Sequence, residues 1–290
     1  MSGGNCYGVD YSSVLLREIM IIQHSSSGPI TGYAGPVHWE GPLPVPDIRD
    51  VRELAGALAV PGCSVNGPVY YMYRDVARSP EDRQWLHERK IRFDITVIPP
   101  RDLCGECVKT KGHYHPANPT GTGYPEIYEV LEGEAHYLIQ TRDCADVVMI
   151  AATAGEIVVV PPGYGHVTIN PSRTAVLQMA NLVSSAFQSE FQAYEDLRGA
   201  VFYEMTTGAF VKNLRYPQKS RLRLVKAGHI AGVKDTVSDP LYDLVEKRAA
   251  ILGFLNYPEE YQALFSRIYP EGTMASSGDY NLNRVNIHAD

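Results

Sequence analysis

An all-β fold is predicted for this 290-residue chain: a small antiparallel barrel over residues 65–215, preceded by an N-terminal arm (1–64) and followed by a peripheral helical extension (216–290). Three observations carry that expectation. From Val69 onward the sequence breaks into short runs rich in β-branched and aromatic residues, separated at regular intervals by Gly, Pro, Asn and Asp. Histidines and a carboxylate recur at spacings that a sheet, but not a helix, brings to one face. Beyond Pro217 the apolar period changes from that of strands to that of helices.

Along the chain, residues 1–46 read as loop, with a polar stretch from His24 to Gly28 and an extended run Gly41-Pro42-Leu43-Pro44-Val45-Pro46 that wraps a neighbouring surface. Ile48, Val51, Leu54 and Leu58 stand at helical spacing, so a helix capped by Asp47 is expected over 47–58. Strands follow at Val69–Tyr73, Arg92–Ile98, Cys107–Thr110, Glu126–Leu131, Ala135–Thr141, Asp146–Ala151, Ile157–Val160, His166–Asn170, Ala175–Asn181 and Val201–Glu204. Two amphipathic helices are predicted over Asp239–Leu255 and Glu259–Tyr269, and the last fifteen or so residues as disordered.

The apolar fraction of 44% suffices for a sizeable core. A net charge of -7 with no basic run excludes nucleic acid and anionic membrane as partners, while local contacts still admit a small anion. No apolar stretch reaches the roughly 18 residues of a membrane helix, and the N-terminus lacks a signal-peptide pattern, so a cytoplasmic location is expected. Cys6, Cys63, Cys104, Cys107 and Cys144 form no disulfide framework, which fits a reducing compartment. Cys104-Gly105-Glu106-Cys107 is read as a hairpin tip rather than a zinc or redox site.

The chemistry lies in two stretches. His113 and His115, two apart on a strand, direct both imidazoles into one cavity, and Glu126 shares a face with Tyr128 until Gly133 turns the chain. In the second stretch the apolar run Ile157–Val160 ends at Pro161-Pro162-Gly163, which sets the direction of His166. A single histidine is more often a packing residue; three histidines and a carboxylate in two spaced motifs form a donor set for one divalent first-row ion. The ligands are then His113, His115, Glu126 and His166.

The spacing H-x-H-x10-E-x6-G, then G-x5-P-x-G-x2-H-x3-N, resembles the two cupin motifs, which implies a double-stranded β-helix barrel. Cys107 stands where the first motif usually opens with glycine. The long gap before Glu126 holds an insertion from Pro116 to Pro125 that reads as a loop, or lid, at the barrel mouth. Phe93-Asp94-Ile95-Thr96, Lys109-Thr110-Lys111-Gly112-His113, Glu126-Ile127-Tyr128 and Pro161-Pro162-Gly163-Tyr164-Gly165-His166 together resemble the archaeal-type, cupin glucose-6-phosphate isomerases over residues 65–200. That resemblance implies one metal ion per subunit, with iron placed first and zinc, manganese or nickel as alternatives. It also implies a phosphate site at Thr96, Thr110 and Gly112, a homodimer, and a role in glycolysis and gluconeogenesis. The family's tyrosine and histidine after the second motif are absent from the stretch Met179–Phe191, and His136 is a candidate replacement if it faces inward.

An aldose–ketose interconversion develops charge on the sugar oxygens, which a divalent ion stabilises as a Lewis acid. Two routes are open, proton transfer through an enediol with Glu126 as base, or a hydride shift without a base. Tyr128 is a candidate substrate hydrogen-bonding group or a packing residue, and Lys111 a phosphate attractor or a solvent-facing lysine. Two other functions compete: a dioxygenase on the three-His-one-Glu site, which calls for an apolar cavity, and a non-catalytic sugar-phosphate binder.

Overall fold

The computed structural model describes residues 35–217, 220–229, 237 and 240–268. The stretch from His24 to Gly28 and the C-terminal residues expected to be disordered lie outside them.

In chain order the strands are β1 (Asp47–Asp50), β2 (Pro68–Tyr73), β3 (Ile91–Ile98), β4 (Asp102–Leu103), β5 (Glu106–Cys107), β6 (Glu126–Glu132), β7 (Glu134–Thr141), β8 (Val147–Thr153), β9 (Ile157–Val160), β10 (Tyr164–Ile169), β11 (Leu177–Ser184), β12 (Phe202–Glu204), β13 (Phe210–Lys212) and β14 (Leu222–Lys226). They form a six-stranded sheet, β1-β2-β3-β11-β6-β9, a four-stranded sheet, β10-β7-β8-β14, and two small hairpins. The all-β expectation holds. Every pairing in the two large sheets is antiparallel except β14 against β8.

Alternation along the strands separates two cores. Tyr137 and Ile139 of β7 join Val130 of β6 and Val158 of β9 in the core between the sheets. Leu138 of β7 and Val167 and Ile169 of β10 face the other way, onto Tyr194 of α3 (Gln192–Asp196) and Val201. On β3, Asp94 and Thr96 point to a cavity between the sheets, while Phe93 packs outward against Trp39 and Tyr242 at centroid distances of 5.5 and 4.9 Å.

The C-terminal segment covers that outer face. The predicted long helices are broken into α4 (Leu241–Glu246), 3-10 turns at Ala250–Leu255 and Pro258–Tyr261, and the short α5 (Gln262–Phe265). Arg248, at φ 53, and Pro258 interrupt them. The Leu241 N–H caps against Glu129 Oε2 at 2.7 Å, and Tyr242 Oη donates to Asp82 at 3.0 Å.

Other expectations are corrected. Asp47–Asp50 is not helical but an edge strand on β2; α1 (Val51–Leu54) begins only after Asp50, whose side chain forms a capping box with Glu53. The helix α2 (Pro80–Glu88), capped by Ser79, was not read from the sequence; it buries Trp85 and Leu86 beside β3. Strands β1 and β14 both lie outside residues 65–215 yet belong to the main sheets. Cys63 and Cys104 form a disulfide, against the expectation of none. Cys104 and Gly105 do form a hairpin tip, both with positive φ, as a two-residue turn between β4 and β5 requires.

Candidate metal centre

The expected strand Cys107–Thr110 ends at Cys107, and the chain then runs as an irregular ladder along the free edge of β10. The Asn170 N–H donates to Val108 O at 2.9 Å, Thr110 N–H to Thr168 O at 2.8 Å, and His166 N–H to His113 O at 3.0 Å. His113 is thereby set directly beside His166, on the cavity side of the four-stranded sheet. His115 follows with the same parity, and its Nδ1 donates to the Tyr124 carbonyl at 2.9 Å.

Tyr124 belongs to the insertion over 116–125, which is tied down at both levels. Asn118 Oδ1 accepts from the Thr120 and Thr122 N–H groups at 3.0 and 3.1 Å, and Asn118 Nδ2 donates to Glu259 at 2.8 Å. The segment expected to act as a lid is here a brace that orients His115.

From the facing sheet, β6 contributes Glu126 and Tyr128 on one face, as the alternation predicted. Its register with β11 places Asn181 opposite Tyr128, and Asn181 Nδ2 donates to Glu126 Oε1 at 2.7 Å. One ligand atom from each of His113, His115, Glu126 and His166 lies within 4.8 Å of the others. The Nε2 atoms of His113 and His115 are 3.2 Å apart, and Glu126 Oε2 lies 3.3 Å from His115 Nε2 and 3.4 Å from His166 Nε2.

These groups fit a cation. Because His115 Nδ1 carries its proton toward Tyr124, its Nε2 presents a lone pair; His113 Nδ1, 3.4 Å from Lys111 O, is turned the same way. Lone pairs then face one another and a carboxylate, and Glu126 Oε2 is buried with no hydrogen-bond partner. Burial, reinforced by the neighbouring histidines, holds the His113 imidazole well below its ordinary value. Burial likewise brings His166 to about 4, with Glu126 pulling the other way and His115 adding to it. Burial opposes ionisation of Glu126, yet the histidines packed around it, His115 and His166, tip the balance and leave its pKa lowered. Tyr128, 3.0 Å from His166 Nε2, keeps its proton because burial and Glu126 raise its pKa far above the ordinary range.

The cavity around this cluster has a volume of about 470 Å³. Thr96, Thr110 and Lys111 line it with Tyr128 and the four clustered residues. Gly112 is absent from the wall. A Cβ there would collide with the Tyr194 ring and come within 2.7 Å of Val167, so packing of α3 demands glycine at this position. His136 faces the second core, not the cavity, with Nδ1 2.8 Å from Glu204 and Nε2 3.3 Å from Glu134. In the stretch that lacks the family's tyrosine and histidine stand Asn181, on Glu126, and Phe187 and Phe191, whose rings lie 4.5 and 5.4 Å from His115 and His113. Sequence reasoning missed Asn181 and the wall residues Arg49, Arg74, Arg92 and Asp94.

A family model described as glucose-6-phosphate isomerase (GPI) matches residues 49–221, more than half of the chain. Among curated proteins, the chain is similar to glucose-6-phosphate isomerases of Thermococcus litoralis (36% identical over 83 residues, 29% of this chain and 41% of that protein) and Thermococcus gammatolerans (33% over 99 residues, 34% and 48%). A third, from Pyrococcus furiosus, is 34% identical over 83 residues. The chain thus spans less than half the length of these relatives. Among solved structures, an oxalate oxidase in complex with glycolate is matched at a TM-score of 0.32 and 20% identity, over 42% of this chain and 55% of that one. A vicilin from Corylus avellana gives 0.31 and 18%, over 42% and 32%.

Proposed function

Because this chain belongs to the glucose-6-phosphate isomerase (GPI) family, we propose that it interconverts glucose 6-phosphate and fructose 6-phosphate in a metal-dependent reaction. The observation that carries the reading is the convergence of His113, His115, His166 and an unpartnered Glu126 oxygen in a cavity that also presents threonines and cations. A wall of this kind suits a phosphorylated sugar and is not the apolar cavity that the dioxygenase reading requires.

His113, His115, Glu126 and His166 would hold the ion, which supplies Lewis acidity to the charge developing on the sugar oxygens. Asn181 engages Glu126 Oε1 and so leaves Oε2 as the inward-facing oxygen. Two carboxylates line the described cavity wall, and Asp94 is committed to Arg74 and Arg92; a route that moves a proton therefore assigns the base to Glu126. A hydride shift needs no such base and stays open. Tyr128, protonated throughout the neutral range, serves as a hydrogen-bond donor to a sugar oxygen. Thr96, Thr110 and Lys111 are the proposed phosphate contacts, and Phe187 and Phe191 limit water around the histidines.

The proposal takes iron as the first metal to test, on a donor set of imidazoles and one carboxylate, and includes a homodimer and a cytoplasmic location. The Cys63–Cys104 pairing weighs against the last, since disulfides persist in oxidising compartments. Stripping the pure protein of metal, restoring iron, zinc, manganese or nickel in turn, and following fructose 6-phosphate with a coupled dehydrogenase tests the reading. Metal-dependent turnover abolished in His113→Ala supports it. Tight metal binding without turnover of any hexose phosphate would leave a sugar-phosphate binder.

A further inference from the structure

The cavity wall carries two cationic groups, and they are committed differently. Arg74 Nη1 lies 3.0 Å from Asp94 Oδ2, and Arg92 Nε lies 2.8 Å from both Asp94 oxygens. The Asp94 side chain is 2% exposed and also accepts the Asp75 N–H at 2.9 Å. That buried carboxylate holds both guanidiniums, and Arg74 reaches a second one as well, its Nε lying 3.2 Å from Asp47 Oδ2.

Arg49 and Lys111 are paired instead with solvent-exposed carboxylates. The Tyr70 hydroxyl accepts the Lys111 N–H at 3.1 Å and lies beside the Arg49 side chain. Their acidic partners are Glu53, 2.6 Å from Arg49 Nη1, and Glu195, 2.5 Å from Lys111 Nζ, with side chains 44% and 40% exposed. Water reaches these two carboxylates and screens the pairs, although the Arg49 and Lys111 side chains are themselves only 23% and 15% exposed. Two polar groups at this end lack any partner although buried: Arg49 Nε and the Thr168 hydroxyl, both on residues of the cavity wall. Lys111 and His113 are two residues apart on an extended segment, a separation of about 6.6 Å, of the order of a hexose chain.

We propose that Arg49 is the specificity-determining residue of this cavity, taking the phosphate of the substrate on its guanidinium fork together with Lys111, while the Arg74–Asp94–Arg92 group does not bind it. The identity of the sugar rests on the isomerase reading; the anion site does not. A guanidinium matches phosphate geometry through paired N–H donors, and binding would displace the Glu53 carboxylate from one of them.

Binding of inorganic phosphate to the metal-loaded protein, measured by calorimetry, provides the test. Arg49→Met weakens phosphate binding by about tenfold, the loss expected for a charge-assisted hydrogen bond, and raises KM for fructose 6-phosphate by a similar factor with kcat little changed. Arg92→Met leaves phosphate affinity as it was. Glu53→Gln, which keeps the helix cap and frees Arg49, tightens phosphate about threefold, on the order of one surface ion pair, and serves if Arg49→Met does not fold. Phosphate affinity unchanged in Arg49→Met, or unchanged in Glu53→Gln, or lost instead in Arg92→Met, overturns the assignment. Arg49-dependent phosphate binding in a protein that turns over no hexose phosphate would sink the isomerase reading and leave the anion site standing.

Discussion

Stability should fall between neutral and alkaline pH through one buried pair. His136 faces the second core, with Glu204 of β12 on one ring nitrogen and Glu134 of its own strand on the other. Burial alone would lower its pKa, but the hydrogen bonds and charges of Glu134 and Glu204 outweigh it and raise the value to about 9. The unfolded chain returns His136 to about 6.5. A folded value above the unfolded one means that the stabilisation is complete below pH 6.5 and disappears as pH climbs through 9. At about 1.36 kcal/mol per pH unit the gap corresponds to roughly 3 kcal/mol. Urea denaturation of the wild type and of His136→Gln at half-unit steps from pH 6 to pH 10 isolates it. The difference in unfolding free energy between the two proteins should be largest near pH 6 and shrink by about 3 kcal/mol by pH 9.5. A difference that stays constant across the range would refute the charged pair and make His136 a neutral packing residue.

Three further outcomes are expected. Asn181→Leu removes a hydrogen bond to a buried carboxylate and should lower metal affinity by about 10–100-fold in a chelator competition, with the fold retained; unchanged affinity would mean that Glu126 needs no orientation. Gly112→Ala drives a methyl into Tyr194 and should destabilise by about 1–3 kcal/mol in urea, a loss under 0.5 kcal/mol showing that α3 yields freely. Tyr242→Ala empties the contact over Phe93 and should cost about 3–5 kcal/mol of stability while turnover per folded molecule stays constant. A drop in turnover there would give the C-terminal segment a part in the site.

The four clustered residues were legible because each signal is local: His113 and His115 share parity, and Pro161-Pro162-Gly163 sets His166. Their partners were not, because they depend on pairing across the chain. Asn181 reaches Glu126 only through the β11–β6 register, which no spacing within either strand encodes. Arg49 sat in a stretch whose apolar residues also fit a helix; the free edge of β2 captured Asp47–Asp50 instead, and that turned Arg49 to the cavity wall. The helix α2 has two adjacent apolar residues, Trp85 and Leu86, among mostly charged ones, so no stripe announced it. Cys63 and Cys104 are 41 residues apart, and their approach follows from where the β4–β5 hairpin lies. Gly112 stood out by its place in the motif, but the demand for glycine there comes from Tyr194, on a helix some eighty residues later, which no local signal announces.

The brace over 116–125 makes the orientation of a single imidazole depend on a residue of the C-terminal segment. With the Tyr124 carbonyl in place, His115 turns its lone pair inward; were the carbonyl to withdraw, the ring could rotate by half a turn and offer an N–H to the same spot. The carbonyl is kept in place by a loop whose Asn118 is fastened to Glu259, on the segment that roofs the outer face of the larger sheet. A re-packed roof that shifted Asn118 would therefore reach the donor that His115 presents while leaving the four clustered residues themselves unchanged.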